Sequence, residues 1–467
     1  MIAADNEELI RRIARLARQN QEQDDLIKKL EKQIENLTRQ LEKLKNGQIP
    51  QDSSLVQAVK EEAREKSLKF DMATVLFAEL RCSDPGLEEH DSFSYMDELD
   101  EILMEFGAIA ERSGIVKIKT IGDTFMCAGG IPEKNITNPV IVVLAAVEMK
   151  NFLDRFEARK RGNGRKIWQL KTGIHTGPVL ATVTGKKKIS YEIKGDTVNN
   201  ASRIVTVSDD QSILISIMTC ELVKELFVCE YSGRLPVKYK GHLDLFGVTG
   251  LKPGLSVDAK GMIPNDLFRI KFGLIQFTDI QEMILDKLER ELPPFLFYHN
   301  VKHTVDVVTE VELIGWAEGC SDEEILLLKT AALFHDAGHI VSYDEHEMHS
   351  ARMAEEILPR YNYTSAQIER ICSIIMATRL PPEPADLLEE IICDSDLDYL
   401  GRSDFIPVSN MLFEELRARN KMTEINEWNK LQVKFISGHQ YFTRTARSLR
   451  EVNKQLQIER IRSLIHD

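Results

Sequence analysis

From Leu9 the apolar positions step by four and three: Leu9, Ile13 and Leu16, then Ile27, Leu30, Ile34, Leu37, Leu41 and Leu44. This is a heptad sustained for about five repeats, with Ile13, Ile27 and Ile34 at a and Leu16, Leu30 and Leu37 at d. Isoleucine at a with leucine at d favours two parallel strands, and Asn20 falls on an a position, where a buried amide pair fixes the register. The pattern predicts a parallel dimeric coiled coil over 1–48, stopped by Asn46-Gly47 and Pro50, followed by a charged helical linker over 49–67.

Further on, the periodicity alternates. Residues 73–78, 115–121, 124–128 and 167–174 read as strands and 95–112 and 139–160 as helices, so 68–251 is expected to be a mixed α/β domain whose helices cover one sheet. The stretch 250–264 is rich in Gly and Pro and reads as a linker, placed at 252–290 between domains. Helical periodicity runs nearly throughout 265–467, broken at Pro293-Pro294 and between Pro381 and Pro384, so this region is expected to be all-α, with its own domain placed at 291–467.

Composition narrows the class. A chain of 467 residues suggests two to three domains, and 43% hydrophobic with 29% charged residues is the range of globular proteins. No apolar run approaches the roughly 18 residues needed to span a bilayer, so no membrane contact is expected. The opening residues lack the basic-then-apolar order of a secretory signal, and the seven scattered cysteines include no C-x-x-C pair; both point to a reducing, cytoplasmic setting. A net charge of −14 disfavours a nucleic-acid surface, because polymer phosphate is bound by clustered Lys and Arg. Small nucleotides remain possible, since local metals override the global sign.

Two acids stand at strand ends in the α/β domain: Glu79 after Val75-Leu-Phe-Ala78, and Asp123 in Lys119-Thr-Ile-Gly-Asp123. Carboxylates so placed can hold divalent metals. These two runs, together with Gly173-Ile-His-Thr-Gly-Pro178 and Lys194-Gly-Asp-Thr-Val-Asn-Asn-Ala-Ser-Arg203, occur in the order found in the class III nucleotidyl cyclases, which residues 68–250 resemble. The resemblance implies an α/β sandwich with a ferredoxin-like core. It implies that Glu79 and Asp123 bind Mg or Mn, and that Lys119 and Glu192 read the purine base in the adenine-type combination. It further implies that Asn199 and Arg203, four apart on one helix face, stabilise the transition state, and that Lys238 or Lys240 grips the triphosphate. In that family the site forms between two domains, so the coiled coil would supply the partner of a homodimer. The chain departs from the family at Glu79, where Asp is usual, and at Cys82-Ser83-Asp84, which replaces a Gly-Phe-Thr type of turn. A longer acid pushes a metal outward and Asp84 repels phosphate, so nucleotide binding is expected while efficient cyclisation is left open.

The helical region carries a different chemistry. Six of the eleven histidines lie between His299 and His349. Tyr298-His299-Asn300 and His303 come first, then His335-Asp336-Ala-Gly-His339, His346-Glu347, and Asp396. Imidazoles and carboxylates recurring from several helices compose a mono- or dinuclear metal site. The order His, His-Asp, Asp resembles the HD phosphohydrolase superfamily over about 290–445. That resemblance implies two divalent metals (Mn, Fe, Zn or Mg), the first held by His303, His335, Asp336 and Asp396, with Asp336 bridging to the second. The likeness to cyclic-nucleotide phosphodiesterases implies that His299 protonates the leaving oxygen and His339 helps hold phosphate, around a metal-activated water that attacks phosphorus. His346 and Glu347 either reach the second metal or cap a helix. Gln432 is the candidate for reading a base, whereas Trp428, Phe435 and Tyr441 read as core packing. The expectation is a cyclic-nucleotide phosphodiesterase for cAMP or cGMP, regulated by a nucleotide-binding cyclase-like dimer. The alternative is an adenylate cyclase with a regulatory HD domain.

Overall fold

The computed structural model describes residues 67–83, 92–161, 168–184, 190–237, 241–258 and 260–466. The expected coiled coil, the linker after it, Asp84, Lys238 and Lys240 lie outside the described residues.

The α/β domain is organised around β1 (Ser67–Cys82). Its side chains alternate: Leu76, Ala78 and Leu80 enter one apolar cluster, Ala73, Val75 and Phe77 the cluster on the opposite face. Burial on both faces is why this strand reads as an unbroken apolar run rather than an alternating one. Strands β2 (Val116–Ile121), β3 (Thr124–Gly129), β4 (Trp168–Thr184), β5 (Ser190–Lys194), β6 (Ser212–Ser216), β7 (Phe227–Val237) and β8 (Gly241–Leu251) complete the sheet. Its order is β2-β3-β1-β4-β6-β8-β7, with β5 paired to β4. Helices α1 (Ser92–Arg112) and α2 (Asn138–Arg161) pack on one face and α3 (Asp196–Val207) on the other; the short α4 (Ile217–Val223) joins the first face. β4 runs well past the expected 167–174, because His175 and Gly177 still pair with Val75 and Ala73 of β1. α3 lies so close on β4 that a Cβ at Gly173 would stand 2.3 Å from the Val205 nitrogen, so only glycine fits there.

The stretch expected as a linker contains a 26-residue helix, α5 (Asp266–Glu291), started by the Asn265 side chain accepting from the Phe268 N–H at 3.0 Å. Its first turns bury Phe268 in the α/β core and pack Phe272 and Ile275 against it. Its later turns put Phe277, Ile280, Ile284 and Leu288 into the helical core. The Gly- and Pro-rich stretch ends at Pro264, and the helical periodicity expected from Asn265 begins with this helix.

The helical domain consists of α6 (Val301–Glu318), α7 (Asp322–Phe334), α8 (His346–Ile357), α9 (Ser365–Met376), α10 (Leu387–Asp396), α11 (Phe405–Ala418), α12 (Ile425–Gly438) and α13 (Arg444–Arg462). α7 is almost wholly buried, including Leu326, Leu328, Ala332 and Phe334, and ends at the His335-Asp336 pair. No helix among the described residues is long and apolar enough to cross a membrane.

Candidate metal centre and nucleotide site

Local rules place the histidines. Asn300 caps α6, its side chain accepting from the His303 N–H at 3.1 Å, which sets His303 in the first turn. His335 and Asp336 follow α7 directly, and the 3₁₀ turn Ala337–Ile340 carries His339 back over them. A Cβ at Gly338 would lie 2.0 Å from the His346 carbonyl oxygen, so this glycine is what lets the start of α8 press onto the His-Asp turn. Ser350 fastens the same contact, donating to the His335 carbonyl at 2.6 Å and accepting from the Gly338 N–H at 2.8 Å. Asp396 arrives as the last residue of α10.

The ligand atoms converge in two groups on either side of Asp336. In the first, His303 Nε2 lies 3.0 Å from Asp396 Oδ1, 3.3 Å from His335 Nε2 and 3.4 Å from Asp336 Oδ2. The His335 ring donates from Nδ1 to the Ala332 carbonyl at 2.7 Å, which turns its Nε2 towards Asp336 at 3.3 Å. In the second group, Asp336 Oδ1 stands 3.4 Å from His346 Nε2 and 3.8 Å from His339 Nε2, with the two rings stacked at 4.0 Å. His299, Asp336 and His339 each place a ligand atom within 4.8 Å of the others, as do His303, His335 and Asp396.

Electrostatics agree with a cation between these groups. Burial acts to strip protons from His303 and His335, but the Asp336 and Asp396 carboxylates outweigh it and hold both imidazoles above their ordinary value. Burial acts to raise both carboxyls, and the facing imidazoles instead hold Asp336 and Asp396 low. Asp336 Oδ2 and both ring nitrogens of His339 are buried without a hydrogen-bond partner, an arrangement that is costly unless something coordinates them. Burial pushes His339 down to about 2, so its ring stays neutral with one nitrogen lone pair to offer. Imidazole and carboxylate donors in this number fit divalent metal ions, with Asp336 facing both groups.

His339, expected to hold phosphate, is buried against Asp336 and His346. His346 is the first residue of α8, and its Nε2 faces Asp336 at 3.4 Å.

The structure also adds a residue that sequence reasoning missed. Glu415 of α11, fully buried, accepts from His299 Nδ1 at 2.5 Å through Oε1 and from the Tyr298 and His299 backbone N–H groups at 3.0 and 3.2 Å through Oε2. Burial raises its carboxyl, but those bonds prevail and hold it low and ionised. His299 is thereby fixed with Nε2 as its free nitrogen. Above the centre lies a cavity of about 550 Å³ whose walls include Tyr298, Tyr343, Phe405, Trp428, Gln432 and Phe435. The Gln432 amide oxygen accepts from Ser409, whose hydroxyl oxygen accepts from the Trp428 indole N–H at 3.3 Å. Phe435, expected in the core, is 38% exposed in this wall, whereas Tyr441 is buried with its hydroxyl donating to the Leu397 carbonyl at 3.4 Å.

In the α/β domain the register sets Glu79 opposite Thr124, so Glu79 and Asp123 meet at one sheet end, where the Leu80 N–H donates to the Asp123 carbonyl at 3.0 Å. Glu79 accepts from Arg81 Nε at 2.6 Å. Two carboxylates, one already held by Arg81, do not close a ligand set within the chain. Asn199 and Arg203 share the exposed face of α3, where Arg203 donates to the Pro236 carbonyl at 2.5 Å. Lys119 on β2 and Glu192 on β5 are exposed, and Glu192 pairs with Lys194 at 3.3 Å. No hydrogen bond or ion pair joins Lys119 or Glu192 to each other or to the acids.

Comparison with known proteins follows this division. Residues 65–250 match the family described as the Adenylate and Guanylate cyclase catalytic domain, and residues 300–400 match the HD domain. The chain therefore joins a class III cyclase catalytic domain to an HD domain. Among curated proteins it is 31% identical over 177 residues to a membrane guanylyl cyclase of Dictyostelium discoideum, covering 38% of this chain and 11% of that protein. It is 29% identical over 202 residues to guanylyl cyclase C of Homo sapiens, covering 42% and 19%. The chain thus spans only a small part of the length of these relatives. Among solved structures, the guanylate cyclase domain of RhGC from Catenaria anguillulae with GTP is 29% identical, with a TM-score of 0.35, covering 40% of this chain and all of that one. The adenylyl cyclase CyaB of P. aeruginosa is 26% identical, with a TM-score of 0.36, covering 39% and 95%.

Proposed function

We propose that the HD domain is a metal-dependent phosphodiesterase acting on a 3′,5′-cyclic nucleotide, cAMP or cGMP, and that the cyclase-type domain binds nucleotide as a homodimer and regulates it. The observation that carries this reading is Asp336 set between two groups of imidazole ligands at the floor of a cavity of about 550 Å³. His303, His335 and Asp396 would hold one divalent ion, His339 and His346 the other, and Asp336 both. Bound there, the ions would polarise the phosphate and activate water near neutral pH. His299 keeps Nε2 towards the cavity and donates a proton to the leaving oxygen, its ring oriented by the Glu415 carboxylate at Nδ1. The cavity is of the size that holds a small organic ligand, and Gln432, Trp428 and Phe435 offer one amide and two aromatic surfaces to a base.

The second reading, a working cyclase, is favoured by the meeting of Glu79 and Asp123 and by Asn199 with Arg203 on one face of α3. Lys119 and Glu192 are exposed, as they would be if a second copy completes the site. Their pairing favours adenine, whereas the curated relatives are guanylyl cyclases. Purified protein incubated with cAMP, cGMP, ATP and GTP under Mn and Mg, with products separated by chromatography, decides between them. Hydrolysis of neither cyclic nucleotide would end the phosphodiesterase reading.

A further inference from the structure

Helix α5 reaches into the cyclase-type domain with a charge. Asp279 accepts the Ile136 N–H at 2.6 Å through Oδ1 and the Thr137 hydroxyl at 2.7 Å through Oδ2. These residues lead directly into α2, whose first amides lack intrahelical partners. α2 is thus held at its start from α5.

The next residue, Asn138, begins a buried chain of hydrogen bonds. Its amide nitrogen donates to the Asn135 carbonyl at 2.5 Å, and its carbonyl oxygen accepts from the Thr74 hydroxyl at 2.6 Å. A hydroxyl has one hydrogen to give, so Thr74, having used it, can only accept from Thr176, 2.9 Å away. The same rule passes along the chain. Thr176 accepts from Thr219 at 3.0 Å, Thr219 from Ser216 at 3.2 Å, and Ser216 from His175 Nδ1 at 2.8 Å. His175 is therefore the Nδ1–H tautomer, and its Nε2 accepts from the Asn200 amide at 3.3 Å. Asn200 lies on α3 between Asn199 and Arg203. Thr74, Asn138, His175, Thr176, Ser216 and Thr219 are each no more than 7% exposed, so water does not substitute for a lost partner. One bond direction fixes all the others, from α3 through the sheet to the start of α2, and that start is pinned by Asp279.

We propose that Asp279 is a positioning residue for the Asn199–Arg203 face of α3, acting from the helix shared with the HD core through this one-way chain of buried hydrogen bonds. The proposal rests on the reading of Asn199 and Arg203 as the transition-state pair for its functional meaning, but not for its physical test. Releasing Asp279 frees the segment that holds Asn138. Thr74 then loses its acceptor and each hydroxyl behind it loses its reason to point one way.

The test uses the full chain with Asp279→Ala, the milder Asp279→Asn, Thr176→Val in the middle of the chain, and the Asp279→Ala, Thr176→Val double variant. Hydrogen exchange at the α3 amides is the first readout, with β7–β8 as an internal control for global unfolding. Each single change to Ala or Val raises α3 exchange by about tenfold, Asp279→Asn by less, and the double variant by no more than either alone. The second readout is nucleotide cyclisation, where kcat falls and KM is kept. Unchanged α3 exchange in Asp279→Ala, or a double variant showing the product of the two single effects, overturns the proposal. If no variant and no parent chain makes cyclic nucleotide, the cyclase reading fails, and exchange still decides whether Asp279 positions α3.

Discussion

His299 and Glu415, 116 residues apart in sequence, share a 2.5 Å hydrogen bond at the mouth of the HD cavity. Glu415 also takes the Tyr298 and His299 backbone N–H groups, so it fixes the position and the ring orientation of one histidine. Replacing Glu415 with Gln is expected to lower phosphodiester hydrolysis by about 10²-fold, the scale of a general acid that has lost its orienting partner. Metal content should stay that of the parent. Hydrolysis rates with metal analysis on the same samples check this, and a parent-like rate removes Glu415 from the mechanism.

Asp336→Ala is expected to abolish hydrolysis while the protein stays folded. Asp336 is the one carboxylate facing both ligand groups, so its loss opens both. The effect should be orders of magnitude in rate, beyond what a packing defect of about 1–3 kcal/mol explains in a folded protein. Circular dichroism, metal content and activity are measured together. Full activity would return the HD domain to unassigned chemistry.

Gly338→Ala separates the two ligand groups. The added Cβ would meet the His346 carbonyl at 2.0 Å, and backbone cannot give way as a side-chain end can. α8 must retreat and take His346 with it, at a cost of about 1–3 kcal/mol in stability. Metal titration should then show one ion retained at His303, His335 and Asp396 and the other weakened. Two ions bound with parent affinity would show that His346 is no ligand.

Acid should weaken the fold through two buried histidines, opposed by the buried Asp394 carboxyl, which burial pushes up to about 6. Burial pushes His175 in the cyclase-type domain and His439 in the HD domain down to about 4, whereas each takes a proton near 6.5 when unfolded. Between those values the unfolded chain binds more protons. The stabilisation is therefore complete above pH 6.5 and lost as pH falls towards 4, by on the order of 3 kcal/mol for each site. Urea unfolding at pH 7 and pH 5 measures the slope. His439→Gln should flatten it, and an unaltered slope would refute the assignment for that residue.

How much of this is written locally in the chain depends on how the residues are brought together. His303, His335, Asp336 and Asp396 announce themselves because each stands in a short motif at a helix start or end. Glu415 does not: it is one acid within Phe413-Glu-Glu-Leu-Arg417, and only the fold shows that it faces inward. His339 lies in a recognisable motif, yet its place depends on how closely α8 approaches Gly338, a tertiary distance. Phe435, an aromatic residue expected in the core, forms cavity wall instead, which depends on how α12 packs and is a tertiary matter. For the cyclase-type site the difficulty is different. Lys119, Glu192, Asn199 and Arg203 lie on exposed faces that one copy does not bring together, and Lys238 and Lys240 fall outside the described residues.

Helix α5 also bears on how the chain can be dissected. A cut before Asn265 would deprive the sheet domain of the Phe268 side chain that closes its core, and a cut after Glu291 would deprive the helical domain of Ile280, Ile284 and Leu288. Gene fragments divided at either end of the apparent spacer should therefore yield one aggregating half each time, a different half for each cut. Limited proteolysis of the intact chain should spare 266–291, although the sequence there separates two family domains. The unit of inheritance and the unit of folding do not share a boundary in this molecule.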